Sequence, residues 1–210
     1  MSSINSVVIS CAGVGSRLGL ATTKALIDIN GKSLIALTLE MLKDVEDVRI
    51  VIGYQAQDVI SEVMKYRSDA IFCYNHEYFD TKTGMSLFLG ARHGYEYSIA
   101  IDGDLLVHPD DMSMLLSQEG EWIGYSDVTS DDAVFLNVDN NGYVTGFSRE
   151  NGNYEWTGPA CIKKSRLGME AENVFNQIEP YLPIKGIKVR ACDIDTYDDY
   201  LRAVEFVKSW

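Results

Sequence analysis

The sequence predicts an α/β fold: a mixed, mostly parallel sheet flanked by helices, with a smaller antiparallel part towards the C-terminus. Three observations carry this. The apolar run Val7-Val-Ile-Ser10 leads straight into a glycine-rich stretch, Cys11 to Gly19. From there to residue 120, short apolar runs alternate with amphipathic stretches four times, the pattern of βα units joined by right-handed crossovers. Beyond 120, short strands dominate, and Asn140-Asn141-Gly142 reads as a hairpin turn between two of them.

Taken in order, Val7 to Ser10 suits a strand buried on both faces. Leu34, Leu37, Met41 and Leu42 share one helical face, and Ser33 stands where an N-cap belongs. Val48 to Ile52 reads as a strand, Gln57 to Met64 as a helix, Ala70 to Tyr74 as a strand and Met85 to His93 as a helix. Ser98 to Ile101 is a strand running into Asp102-Gly103-Asp104. Pro109 opens a short helix at its first position, ending near Gln118. Strands follow at Trp122–Tyr125, Ala133–Val138, Tyr143–Phe147 and Asn153–Ile162. A helix over Leu167–Ile178, a strand over Ile187–Cys192 and a closing amphipathic helix over Tyr197–Val207 complete the reading. The expected organisation is one domain, 1–210, whose halves meet near residue 120.

A chain of 210 residues supports a single sizeable core. Its formal charge of −13 repels polyanions, which argues against a generic binder of nucleic acid or anionic membranes. A phosphate ligand would need a few local cations, backbone amides and a metal ion. Met1 to Ser6 lacks the basic and apolar regions of a secretory leader, and no apolar run approaches the ~20 residues of a membrane span. The four cysteines (Cys11, Cys73, Cys161 and Cys192) form no CxxC pair, as in reduced cytosolic proteins, so a cytoplasmic location is expected. The three scattered histidines do not make a His-rich zinc site. Homo-oligomerisation is left open.

The glycines at 13 and 15 follow the first strand, where open α/β sheets bind ligands. Such glycines let backbone N–H groups approach a phosphate. Two familiar patterns fail on spacing: Leu18 stands where the dinucleotide fingerprint needs its third glycine, and Leu26 where a P-loop before Gly31-Lys32-Ser33 needs its first. A ligand-free glycine turn is the competing reading. Arg17 and Lys24 weigh against it, as two cations beside that turn in an acidic chain, suited to phosphate oxygens.

The run Ala12-Gly-Val-Gly-Ser-Arg-Leu-Gly19, then Lys24-Ala-Leu-Ile27 and Asn30-Gly-Lys-Ser-Leu-Ile35, resembles the signature of the sugar-phosphate nucleotidyltransferase superfamily. The pattern is most similar to the small cytidylyltransferases acting on phosphocholine or aminoethylphosphonate. Two positions depart: Thr23 replaces a proline, and Gly-Lys-Ser replaces Gly-Lys-Pro. The resemblance implies a Rossmann-like, GT-A-like fold. It also implies nucleotide contacts from Ala12, Gly13, Gly15, Ser16, Arg17, Lys24 and Asp102, with Arg17 and Lys24 stabilising charge on the phosphoryl groups.

Asp102-Gly103-Asp104 closes a strand with carboxylates one residue apart, a pattern that suits Mg²⁺ beside a nucleotide phosphate but also makes ordinary turns. Asp193 and Asp195 follow the last strand. By resemblance, Asp104 and Asp195 are catalytic and hold the metal together. Asp198 and Asp199 suit the first turn of the closing helix.

For substrates, the resemblance places the nucleotide's base or the acceptor along the segment from Tyr74-Asn75 to Leu89, with Thr83, Gly84 and Ser86 as nucleotide contacts. Glu155 and Trp156 match its acceptor-binding ExxG region, where Trp156 with Tyr154, Tyr78 and Phe79 would suit a cage for an ammonium group. Plain capping by Ser86 and plain packing of the aromatic residues are the competing readings. The expected activity is Mg²⁺-dependent transfer of CMP from CTP to a small phosphorylated or phosphonylated acceptor, releasing pyrophosphate. The alternatives are a sugar-1-phosphate uridylyl- or guanylyltransferase and, in a different class, an inactive nucleotide-binding regulator.

Overall fold

The computed structural model describes residues 5–15, 22–129 and 133–210. β1 (Asn5–Cys11) opens the chain, and a two-stranded hairpin of β2 (Asp28–Ile29) and β3 (Lys32–Ser33) follows. Asn30 and Gly31 turn this hairpin at φ 55° and 89°, the left-handed pair that a tight two-residue turn demands. α1 (Leu34–Met41) starts on the expected cap, the Ser33 hydroxyl accepting from Ala36 N–H at 3.3 Å. Then come β4 (Asp47–Ile52), α2 (Ala56–Tyr66), β5 (Ile71–Tyr74), α3 (Thr83–Ala91), β6 (Tyr97–Asp102), β7 (Leu105–Val107) and α4 (Pro109–Leu116). The second half holds β8 (Trp122–Ser126), β9 (Phe135–Val138), β10 (Tyr143–Ser148), β11 (Tyr154–Lys163), α5 (Val174–Ile178), β12 (Ile184–Lys188), β13 (Ala191–Asp193) and α6 (Tyr197–Lys208).

Nine strands form one sheet in the order β5-β4-β1-β6-β11-β8-β12-β10-β9. The first four are parallel, with Val7 opposite Val48 on one side and Ile99 on the other. β11 runs antiparallel between β6 and β8, so the sheet continues unbroken through the change of pattern at residue 120. The apolar run in β1 feeds two cores. Val7 and Ile9 pack with Ile35, Leu39, Val59 and Met112 under α1, α2 and α4, whereas Val8 packs with Leu87, Ala91 and Val174 under α3 and α5. The hairpin turn at 140–142 forms as expected, with Asp139 Oδ1 accepting from Asn141 and Tyr143 N–H, both at 2.9 Å.

Two expected elements come out differently. The helix expected over Leu167–Ile178 is confined to Val174–Ile178. Gln177 bonds both the N–H and the C=O of Gly168, which holds the preceding chain in an open loop. The strand expected over Ile187–Cys192 is two, because the chain leaves the main sheet after Lys188 and Ala191–Asp193 pairs instead with β7.

Candidate active site

A cavity of about 360 Å³ opens at the carboxyl ends of β1 and β6. Of the residues singled out by sequence, Ala12, Gly13, Gly15, Lys24, Thr83, Ser86, Asp102, Asp104 and Asp195 line it. Gly84, Glu155 and Trp156 do not line it, and Ser16 and Arg17 lie outside the described residues.

The cationic and acidic groups meet through local structure. Thr23 N–H donates to Gln55 Oε1 at 2.8 Å, which fixes the chain just before Lys24. A proline, the residue usual at this position in the superfamily that the sequence resembles, could not donate this bond. Gly15, at φ +64°, lies against the lysine stem: a Cβ there would stand 3.1 Å from Lys24 Cγ. The β7–β13 ladder pairs Leu105 with Asp193, and Ile194 N–H donates to Asp104 C=O at 3.2 Å. The Asp104 and Asp195 loops are thereby clamped together. Asp199, the capping-box residue of α6, adds its Oδ2 to the backbone N–H groups of Asp195 and Thr196 at 3.1 and 2.7 Å.

Lys24 Nζ donates to Asp104 Oδ2 at 2.7 Å and also to Asp195 Oδ1, across 80 and 171 residues of sequence. Among the described residues, no three His, Cys, Asp or Glu side chains are grouped to hold a metal ion. The two aspartates expected as ligands converge on the ammonium instead. Burial by itself pulls the Lys24 ammonium down, but the Asp104 charge and the bonds from both aspartates outweigh it and hold the pKa above the ordinary lysine value. Asp102 is pushed up to about 7 by burial and then by Asp104, against the pull of Lys24. Asp193 is also raised, first by desolvation and then by Asp104 and Asp195, even though its outer edge is open to solvent. Burial raises the Cys11 thiol, so it stays protonated and is no nucleophile. One lysine thus faces four carboxyl groups. Paired hard oxygens with an excess of negative charge are a donor set that fits Mg²⁺, which takes one or two carboxylates alongside water and phosphate.

The opposite wall is polar and nearly neutral. Asn75, Tyr78, Thr81, Thr83 and Ser86 line it, with Lys82 tied to Glu172 at 2.5 Å on the rim. Asn75, Tyr78 and Thr81 fall within the segment after the third strand that the resemblance gives to the base or acceptor, and Asp193 belongs to the second acidic site beside Asp195, though the sequence assigns none of the four an individual role in nucleotide or metal binding. The signal available was their place after a strand's carboxyl end. Thr83 Oγ1 also accepts from Val174 N–H at 3.3 Å. Gly84 has a packing role: a Cβ there would lie 2.3 Å from Ala171 C=O, so α3 and the chain before α5 meet only over a glycine.

On the acceptor side, Glu155 Oε2 accepts from the N–H and hydroxyl of Thr129 at 2.6 and 3.1 Å. The Trp156 ring meets Phe147 edge-on, with centroids 5.6 Å apart. Their run touches the site further on, at a bulge in β11. There Gly158, at φ +104°, comes so close that its Cβ would stand 3.3 Å from Asp102 Oδ2.

A glycine loop, a lysine and strand-end aspartates on a GT-A-like Rossmann sheet define the nucleotidyltransferase class. More particularly, residues 7–143, well over half the chain, match the MobA-like NTP transferase domain, and the chain belongs to that family. It is 31% identical over 101 residues to the bifunctional protein GlmU of Aliarcobacter butzleri (strain RM4018), a match covering 48% of this chain and 23% of that protein. The fold is similar to that of the inositol-1-phosphate CTP transferase from T. maritima, with TM-score 0.83, 16% identity and coverage of 99% of this chain and 96% of that one. It is also similar to the CTP:phosphocholine cytidylyltransferase from Streptococcus pneumoniae, with TM-score 0.76, 20% identity and coverage of 96% and 98%. A UDP-glucose pyrophosphorylase complexed with UDP-glucose matches at TM-score 0.78 and 14% identity, over 98% and 99%. Among the described residues, no helix is long and apolar enough to cross a membrane.

Proposed function

We propose that this chain is a Mg²⁺-dependent cytidylyltransferase joining CMP from CTP to a small phosphorylated or phosphonylated acceptor. The observation that carries the proposal is the convergence of Lys24, Asp104 and Asp195 at one end of a cavity walled by the Ala12–Gly15 loop. Asp104 and Asp195 would hold the metal. When bound, Mg²⁺ supplies Lewis acidity and charge neutralisation at the phosphoryl oxygens.

This chain's own groups do the rest. The loop at Ala12 and Gly13 offers backbone N–H groups and a close approach to the nucleotide. Lys24, with Arg17 by resemblance, stabilises the charge that builds on the phosphoryl oxygens. An acceptor phosphate or phosphonate oxygen attacks the α-phosphorus, the bond to the bridging oxygen breaks, and pyrophosphate leaves. No protein nucleophile is required, and positioning plus electrostatics carry the rate. The acceptor comes along the Glu155–Gly158 run, which abuts Asp102.

CTP is favoured by the motif resemblance and by the likeness to two CTP-using transferases over nearly their whole lengths. The likeness to a UDP-glucose pyrophosphorylase keeps a sugar-1-phosphate uridylyltransferase as the second reading. One screen tests both: pyrophosphate release from each of four NTPs with phosphocholine, aminoethylphosphonate, glycerol phosphate, phospho-amino acids and sugar-1-phosphates. CTP with a small non-sugar acceptor is expected. UTP or GTP with a sugar-1-phosphate installs the second reading, and no release with any pair removes the enzymatic one.

A further inference from the structure

We propose that Gln55 is a positioning residue for Lys24. Its side-chain carbonyl holds Thr23 in the backbone conformation that a proline ring would impose, and so aims the Lys24 ammonium at Asp104 and Asp195. The consequence for rate rests on the nucleotidyltransferase reading; the consequence for the ammonium does not.

Thr23 stands at φ −62° and ψ 141°, within the narrow φ range that a proline ring fixes. Threonine has no ring, so this dihedral is soft unless a partner outside the residue holds it. Thr23 is 2% exposed, and its buried N–H meets the Gln55 amide at 2.8 Å. A backbone N–H can only donate, so the atom it meets is Oε1. The residues that follow hang from this anchor. Leu26 N–H donates to Thr23 C=O and Ile27 N–H to Lys24 C=O, both at 3.0 Å, which closes the single turn that carries Lys24.

Gln55 is itself held on both sides. Its C=O accepts from Asp58 and Val59 N–H at 3.0 and 3.2 Å and so opens α2, while its neighbour Tyr54 donates its N–H to Ala12 C=O at 3.0 Å. Two consecutive residues thus fasten the chain at Ala12, before the glycines, and at Thr23, before the lysine. Gln55 does this from a left-handed backbone, φ 48° and ψ 39°, which is uncommon for a residue with a side chain and persists only where the surroundings impose it. Glycine would take that backbone without strain but offers no amide. A strained glutamine whose side-chain oxygen meets a buried N–H beside the site lysine points to that oxygen as the reason for the residue.

The test uses two readouts on the full chain. One is trace acetylation of Lys24 by acetic anhydride relative to the other lysines, read by mass spectrometry. The other is kcat/KM for pyrophosphate release from CTP and its best acceptor. Gln55→Gly removes the acceptor and relieves the left-handed strain, so its melting temperature should stay near that of wild type. Lys24 labelling should rise ~10-fold and kcat/KM fall ~10-fold, the weight of one hydrogen bond. Gln55→Glu keeps an acceptor for Thr23 N–H and should leave labelling near wild type. Thr23→Pro already has a compatible φ, and in that background Gln55→Gly should change both readouts by about twofold or less, because the ring holds the dihedral. Equal effects of Gln55→Gly in the two backgrounds overturn the assignment. If Thr23→Pro does not fold, Gln55→Glu decides alone, and labelling raised as far as in Gln55→Gly overturns it. Labelling that rises while kcat/KM holds overturns it as well. Pyrophosphate release with neither readout moved in Gln55→Gly overturns the role of Gln55 and leaves the nucleotidyltransferase reading standing. Labelling that moves as expected, in a chain that releases pyrophosphate from no substrate pair, leaves the role of Gln55 standing and removes that reading.

Discussion

Replacing Lys24 with methionine should tighten divalent-metal binding while slowing the reaction. In the free protein, Lys24 donates to Asp104 at 2.7 Å and to Asp195, and the three side chains are only 12%, 25% and 29% exposed. A metal held by that carboxylate pair must displace the ammonium. A hydrogen bond to a charged group contributes about 1.5–3 kcal/mol net of its exchange with water. Breaking one bond at the lower figure weakens metal binding about tenfold, and breaking both weakens it about a hundredfold. Lys24→Met keeps the stem that packs under Gly15 and removes this competition, so Mn²⁺ should bind about 10–100-fold tighter without nucleotide. Electron paramagnetic resonance titration of free Mn²⁺ measures this directly. The same variant should lose ~10²-fold in kcat/KM, because the charge that stabilised the phosphoryl oxygens is gone. Equal or weaker Mn²⁺ binding in Lys24→Met would show that the ammonium and the metal do not share the carboxylates. Near-wild-type turnover would remove Lys24 from the chemistry.

Three further outcomes are expected. Asp104→Asn and Asp195→Asn should each abolish metal-dependent pyrophosphate release, and full activity at low Mg²⁺ in either variant excludes that residue as a ligand. Trp156→Ala should raise the acceptor KM more than the CTP KM; a lower melting temperature with both KM values unchanged would reduce Trp156 to its packing on Phe147. Asp111 accepts from Arg190 Nη2 at 2.8 Å and from Nε and the backbone N–H, and the Arg190 bond holds its carboxyl below the ordinary value. A carboxyl depressed in the folded state contributes stability above its unfolded pKa and loses it as the pH falls through the folded one. With Arg190 half-exposed, Asp111→Asn should cost about 1 kcal/mol at pH 7, and the difference from wild type should close below about pH 4, as urea unfolding at both pH values would show.

Part of this molecule was legible in one dimension because it is decided by neighbours in sequence. Ser33 caps α1 as its hydroxyl required, the turn at 140–142 forms where Asn-Asn-Gly stood, and the apolar run in β1 is covered on both faces. The glycines at 13 and 15 were recognisable for a similar reason, since a loop after a first strand has a local signature. Where expectation and structure part, a distant partner intervened. Gln177 holds Gly168 out of the expected helix, and β7 draws Ala191–Asp193 away from the main sheet.

The site divides along the same line. Its residue types were readable in the sequence: a lysine just beyond the glycine turn and aspartates at strand ends. What those residues meet was not. Lys24 joins Asp195 across 171 residues, through a small ladder of three-residue strands too short to leave a periodic signal. Asn75 became part of the wall only when the chain folded back to bring Thr81 and Ser86 against its amide. Glu155 and Trp156, plain as a motif, were turned towards Thr129 and Phe147 by the pairing of β11 with β8. Local propensity sets which groups a chain carries and the short elements that hold them. Which charges share one cavity is set by non-local burial and strand pairing, and those depend on the whole sheet at once.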